Sequence, residues 1–204
     1  MVRIRVRTTM RAGSPGLLAL AKLLQAHPPA QPVELVAYTL EEPPFFRSSD
    51  MGSVRHAQAL KASGRPVRAV LVLEMIGTFA DTGDSQNYPL PGLSMLYGSR
   101  GDYLAVVGSV GQGLFVRKVK AAFRAATGLS IKSINAPSSI PGIDFSDHRS
   151  YWAEGLPAIM FTDTAFYRNP RYHTGADMPD QLNFPRMAEA VRGVYGVIQK
   201  LSAP

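Results

Sequence analysis

Apolar residues fall in short runs along this chain, and the runs alternate between two spacings. Residues 67–73 (VRAVLVL), 103–107 (YLAVV) and 157–162 (PAIMFT) are nearly continuous apolar stretches, the pattern of strands buried on both faces. Residues 33–39 (VELVAYT) and 130–134 read as two further strands. Between them the spacing becomes helical. A first helix over 14–27 is opened by Ser14-Pro15 and stopped by Pro28-Pro29. A second runs from a cap at Ser49 or Asp50 to about residue 62 and closes at Gly64. A third, 113–127, carries a basic face; a short one covers 148–154 and stops at Gly155; an amphipathic helix over 184–201 ends the chain. Three long connections remain, 77–101, 135–146 and 164–181, and loops of that length in a compact domain tend to be functional. Strands alternating with helices predict an α/β fold: a mixed, mostly parallel sheet with helices on both faces.

Composition narrows the picture. The 204 residues are 46% apolar and 18% charged, a globular balance, and no run approaches the ~18 apolar residues of a membrane span. The absence of cysteine excludes disulfides and thiolate metal sites, so a metal has only His and carboxylate ligands to draw on. The net charge of +7 is concentrated: residues 1–33 hold Arg3, Arg5, Arg7, Arg11 and Lys22 and no acid. Charge gathered in one terminal segment, rather than spread over a folded face, argues against a nucleic-acid partner. No export signal is encoded, and the chain states neither its location nor its oligomeric state.

The acids stand at informative places. Glu41-Glu42 follows one strand, Glu74 ends another, Asp147-His148 opens a short helix after a long loop, and His173 lies in the loop after a fourth strand. In an open α/β sheet ligands bind outside the strand ends. Two carboxylates and a histidine converging there, with an open position, are the donor set of a catalytic zinc, and a neighbouring free carboxylate suits a general base. Taken singly, each acid also reads as a solvated strand-end charge.

With their neighbours these residues are far more specific. VELVAYTLEEPPFFRSSDMGS (33–53), AVLVLEMIG (69–77) and the segment 141–184 containing Ser146-Asp147-His148 and His173 resemble the M28 family of zinc peptidases over about residues 15–201. The resemblance implies a zinc exopeptidase-like fold, a peptide substrate and these roles. Glu41 is the general base. Glu42 and His173 ligate one zinc, and Glu74, Glu where many members have Asp, ligates the other. Asp147 is a catalytic carboxylate behind the ligands or facing substrate. From their places beside Asp147 and His173, His148, Arg168 and Tyr172 are read as substrate-pocket residues, the alternatives being a structural hydrogen bond for His148 and loop-stabilising side chains for Arg168 and Tyr172. Glu41, Glu42, Glu74 and His173 are then expected in one cleft.

One part of the family pattern is missing. Its His-x-Asp segment and its Asp-Asp-Asn-Ala-Ser-Gly segment, which supply a histidine and the bridging aspartate, have no counterpart before the first helix. Thr8-Thr9-Met10 is what an Asp-Asp-Asn-Ala coding stretch gives when read one base late. Residues 1–14 are therefore expected to be an atypical segment, with 1–13 forming no packed element typical of the family and leaving part of the sheet uncovered, and 15–204 a single incomplete catalytic domain lacking the first strands. An intact homologue would hold two zinc ions and this chain one or none. Two alternatives follow from the same resemblance: a non-catalytic truncated relative, and a single-zinc acyltransferase of the glutaminyl cyclase type.

Overall fold

Strand β3 (Val67–Glu74) runs through the middle of the molecule, and residues 69–74 are buried. Its alternate side chains serve two cores: Leu71 and Leu73 face one, Val70 and Val72 the other. That division explains the unbroken apolar run, since a strand covered on both sides has no face left to be polar. The computed structural model of the protein describes residues 3–8 and 13–203.

The other strands are β1 (Arg3–Thr8), β2 (Val33–Leu35), β4 (Tyr103–Gly108), β5 (Ser130–Asn135) and β6 (Ala158–Thr162). They form one sheet in the order β2-β1-β3-β6-β4-β5. All ladders are parallel except β4 with β6. The C-terminal ends of β1, β2, β3 and β6 therefore share one edge of the sheet with the N-terminal end of β4. Helices α1 (Gly13–Ala26), α4 (Gly113–Ala126) and α6 (Phe184–Ser202) cover one face, packing Leu20, Phe123 and Val194 over Leu104, Ile159 and Phe161. Helices α2 (Gly52–Ala62) and α5 (His148–Ala153) cover the β3 and β6 part of the other, with Ala57, Leu60 and Tyr151 over Val70, Ala158 and Met160. Among the described residues, no helix is long and apolar enough to cross a membrane.

Three expectations need correction. The sequence predicts no packed element over residues 1–13, whereas Arg3–Thr8 forms a strand bonded to β2 on one side and β3 on the other. The alternation of Arg3, Arg5 and Arg7 with Ile4 and Val6 is a period-two signal that composition had obscured. Strand β2 is three residues rather than seven, because Tyr38 leaves the sheet and turns its hydroxyl to His56 and Tyr151. The connection 77–101 contains the one-turn helix α3 (Leu93–Tyr97), bounded by Gly92 and Gly98 at positive φ.

Helices α4 and α6 touch at two glycines. A Cβ on Gly193 would stand 2.1 Å from the Phe123 ring, and one on Gly196 2.3 Å from Ala126 Cβ. Phe123 is fully buried and stacked on Phe161 at 6.2 Å, so it has nowhere to retreat. Gly193→Ala therefore destabilises the fold. The ~1 kcal/mol of helix propensity it gains is outweighed by overpacking of about 1–3 kcal/mol. A lower urea midpoint at unchanged slope is the expected result.

Candidate active site

The site forms where the parallel strands end. Glu74, the last residue of β3, pairs in register with Thr162 of β6 and is 8% exposed. Its Oε2 accepts a hydrogen bond of 2.7 Å from the Ser146 hydroxyl, which fixes the carboxylate from the loop before α5. Glu42, on the connection after β2, lies 3.2 Å from His173 Nε2, and both side chains are about half exposed. The Tyr172 ring stacks on His173 with centroids 3.9 Å apart. Burial pushes the Tyr172 hydroxyl above its usual range, and the charges of Glu74, Glu42, Glu41 and Asp163 push it further. One phenol thus senses four carboxylates from three connections.

The backbone around these residues is strained. Leu40 (φ 61°) immediately precedes Glu41, Met75 (φ 48°) follows Glu74, and His173 itself has φ 58°. Non-glycine residues in the left-handed region cost of order 1–3 kcal/mol and persist only where the surroundings hold them. They aim the side chains: the turn at Met75 stops β3 so that Glu74 faces the cleft rather than continuing the ladder.

The cleft opens into a cavity of about 100 Å³ that starts at Glu74 and Tyr172. It runs over the β4 and β5 part of the sheet that α2 and α5 leave uncovered. Tyr88 and Tyr97 from the long connection roof it, and Met160 and Phe166 line it too. The sequence assigned none of these four to the site; for Tyr88 and Tyr97, the presence of aromatic residues in an otherwise turn-rich segment was the available signal.

Two of the expected pocket residues point elsewhere. His148 is fully buried: its Nε2 lies 2.7 Å from the Ile143 carbonyl, and its ring meets Trp152 edge-on at 4.5 Å. Arg168 is 6% exposed and donates to Gln86 Oε1 (2.9 Å), the Thr78 carbonyl (3.0 Å) and the Tyr103 carbonyl (2.9 Å). It pins the start of the 77–101 connection to β4 rather than lining the cavity. Asp147 is fully buried at the start of α5, out of reach of a substrate. Tyr172, by contrast, lies on the cavity wall.

A further acid was missed. Asp163, directly after β6, accepts hydrogen bonds from the Gly77, Thr78 and Ala165 amides at 3.1, 2.7 and 3.0 Å. The strand-end rule that marked Glu74 would have marked it as well. Burial raises its pKa to about 6, against the opposing pull of Arg168 and the three amides. Among the described residues, no three His, Asp or Glu side chains are close enough to hold one ion. Glu42 and His173 stand as a pair, one side chain fewer than the three protein ligands usual for a catalytic zinc.

The family model for peptidase family M28 matches residues 12–198. Escherichia coli (strain K12) protein YfbL, described as uncharacterized, is 53% identical over 187 residues, which is 92% of this chain and 57% of YfbL. The fold is that of Legionella pneumophila LapA aminopeptidase, at TM-score 0.73 and 18% identity over 100% of this chain and 52% of that one. It is also that of BSAP, a zinc aminopeptidase from Bacillus subtilis, at TM-score 0.68 and 17% identity over 98% and 46%. Glutaminyl cyclase from Bacteroides thetaiotaomicron follows at TM-score 0.64 and 15% identity over 97% and 73%. The chain thus spans just over half the length of YfbL and about half that of the two aminopeptidases.

Two outcomes follow. Arg168→Lys lowers stability by about 3 kcal/mol, because an ammonium cannot serve three divergent acceptors and leaves buried carbonyls unpaired; urea unfolding measures it. Asp163 has a folded pKa above its ordinary 3.8. Its contribution is complete below pH ~4 and is lost as pH rises through about 6. The stability of the wild type relative to Asp163→Asn should accordingly fall by roughly 2–3 kcal/mol between pH 4 and pH 7.

Proposed function

This chain belongs to peptidase family M28, and on that footing we propose that the cleft at the strand ends is an exopeptidase site of the zinc aminopeptidase kind. The observation that carries this reading is the Glu42–His173 pair at 3.2 Å, beside a cavity that begins at Glu74. In this reading Glu42 and His173 hold one cation and Glu74 faces the place of a second. When bound, zinc supplies the Lewis acidity that acyl hydrolysis requires. Glu41, next in sequence to Glu42, accepts the proton of the attacking water and delivers it to the leaving amine, the nitrogen of the shortened peptide. The cavity takes the side chain of the substrate's N-terminal residue, with Tyr172 at its entrance. Asp147 acts as a positioning residue behind the ligands.

Because the described donors number two for one ion, zinc binding is weak and turnover by this 204-residue chain lies near background. Acyl transfer of the glutaminyl cyclase type draws on the likeness of fold alone. The tests are zinc titration against a chromophoric chelator and hydrolysis of aminoacyl anilides with added zinc. At most one zinc per chain is expected, lost in Glu42→Ala and in His173→Ala. Robust turnover abolished by Glu41→Gln would show that the remaining donors suffice. Turnover indifferent to Glu41→Gln would remove that residue from its role. Cyclisation of glutaminyl peptides without anilide hydrolysis would favour the acyltransferase.

A further inference from the structure

The basic face of α4 takes no part in the site above. Arg117, Lys120 and Arg124 lie at i, i+3 and i+7, so they form one stripe along the helix. The adjoining stripe, Val116, Val119 and Phe123, is buried in the core, and Val116 also reaches the cavity described next. The basic stripe overhangs β5, the edge strand of the sheet, and between them lies a cavity of about 270 Å³. Its walls are Arg117, Lys120 and Arg124 on one side, Ser133 and Asn135 on the other, and Gly113 at the end. No acidic residue lines it.

Five arginines elsewhere in the chain sit against acids. Arg47 and Arg149 share Asp144, Arg55 faces Asp50, Arg186 faces Asp81, and Arg192 meets Glu189. Among the described residues no cation of α4 has such a partner. The Lys120 ammonium is held by the Ser133 hydroxyl at 3.0 Å, and Arg124 donates to the Ile131 carbonyl at 3.3 Å. Each bond uses one donor and leaves most of the ammonium and guanidinium donors free for a ligand. Burial, and then the charge of Arg124, depress the Lys120 pKa; an anion between them would relieve that repulsion.

We propose that the groove between α4 and β5 binds a phosphate-sized dianion from solution, held by Arg117, Lys120 and Arg124 with Ser133 and Asn135 completing the donor set. Guanidinium forks match the oxygen spacing of a tetrahedral oxyanion. The volume leaves room for that anion and several waters at ~30 Å³ each.

The experiment is an amide NMR titration of the 204-residue chain with sodium phosphate at constant ionic strength, chloride making up the balance. Saturable shifts confined to Gly113, Lys120, Ser133 and Asn135, with a dissociation constant of about 1 mM or tighter, are expected. Lys120→Gln and Arg124→Gln should each weaken binding at least tenfold while keeping the dispersion of a folded chain. Should either fail to fold, Arg117→Gln, at an exposed position, serves in its place. Shifts that rise linearly, that chloride reproduces, or that persist in the folded variants would overturn the site. So would binding to phosphatidylserine vesicles by a chain that shows no phosphate saturation, since the face would then be a membrane surface.

Discussion

Burial of β3 on both faces is the constraint from which the other arrangements follow. Once Val70 and Val72 are committed to one core and Leu71 and Leu73 to the other, the strand can carry a charge only where it leaves the sheet. Glu74 stands there. Because β1, β2 and β6 run parallel to β3, the connections after β2 and β6, which carry Glu42 and His173, emerge at the same edge. The reversed direction of β4 brings Tyr103 to that edge too, and with it the start of the cavity. The site is thus a product of strand direction, and the loops adjust it through the turns at Leu40, Met75 and His173.

The two faces of the sheet are covered unequally, and this matters for chemistry. Three helices close the face of α1, α4 and α6. On the other face α2 and α5 stop short of β4 and β5, and a loop with a single helical turn fills the gap. A roof made of Tyr88 and Tyr97 rather than of a full helix leaves room for a ligand. The roof is tied down at several points: Arg168 to Gln86 and Thr78, the Asn87 amide to the Tyr167 carbonyl at 2.7 Å, and the Tyr97 hydroxyl to the Ser133 carbonyl at 2.9 Å.

Much of this was legible in the residues. The apolar runs gave β3, β4 and β6, and helical spacing gave α1, α4 and α6, because each segment's pattern agrees with its burial. The placement of Glu42, Glu74 and His173 after or at the ends of strands was read from the sequence, and the structure puts them on the connections after β2 and β6 and at the end of β3. What stayed hidden has physical reasons. Strand β1 was obscured because arginine composition outweighed its alternation. His148 and Arg168 resemble pocket residues in sequence, yet whether a polar side chain turns inward depends on carbonyls far away in the chain, such as Ile143 and Tyr103. Asp163 and Ser146 act by hydrogen-bonding partners that no local spacing announces.

An exposed edge strand offers a row of unpaired carbonyls and amides on which another chain can grow. Here β2, at one border, is only three residues long. At the other, the β5 carbonyls of Ile131 and Ser133 are taken by the Arg124 guanidinium and by the Tyr97 hydroxyl at 2.9 Å. The side chains that wall the anion groove and roof the cavity therefore also act as stoppers on the rim. They leave a partly unfolded neighbour little template for fibril-like stacking, so the colloidal behaviour of the protein is written into the same residues as its ligand chemistry.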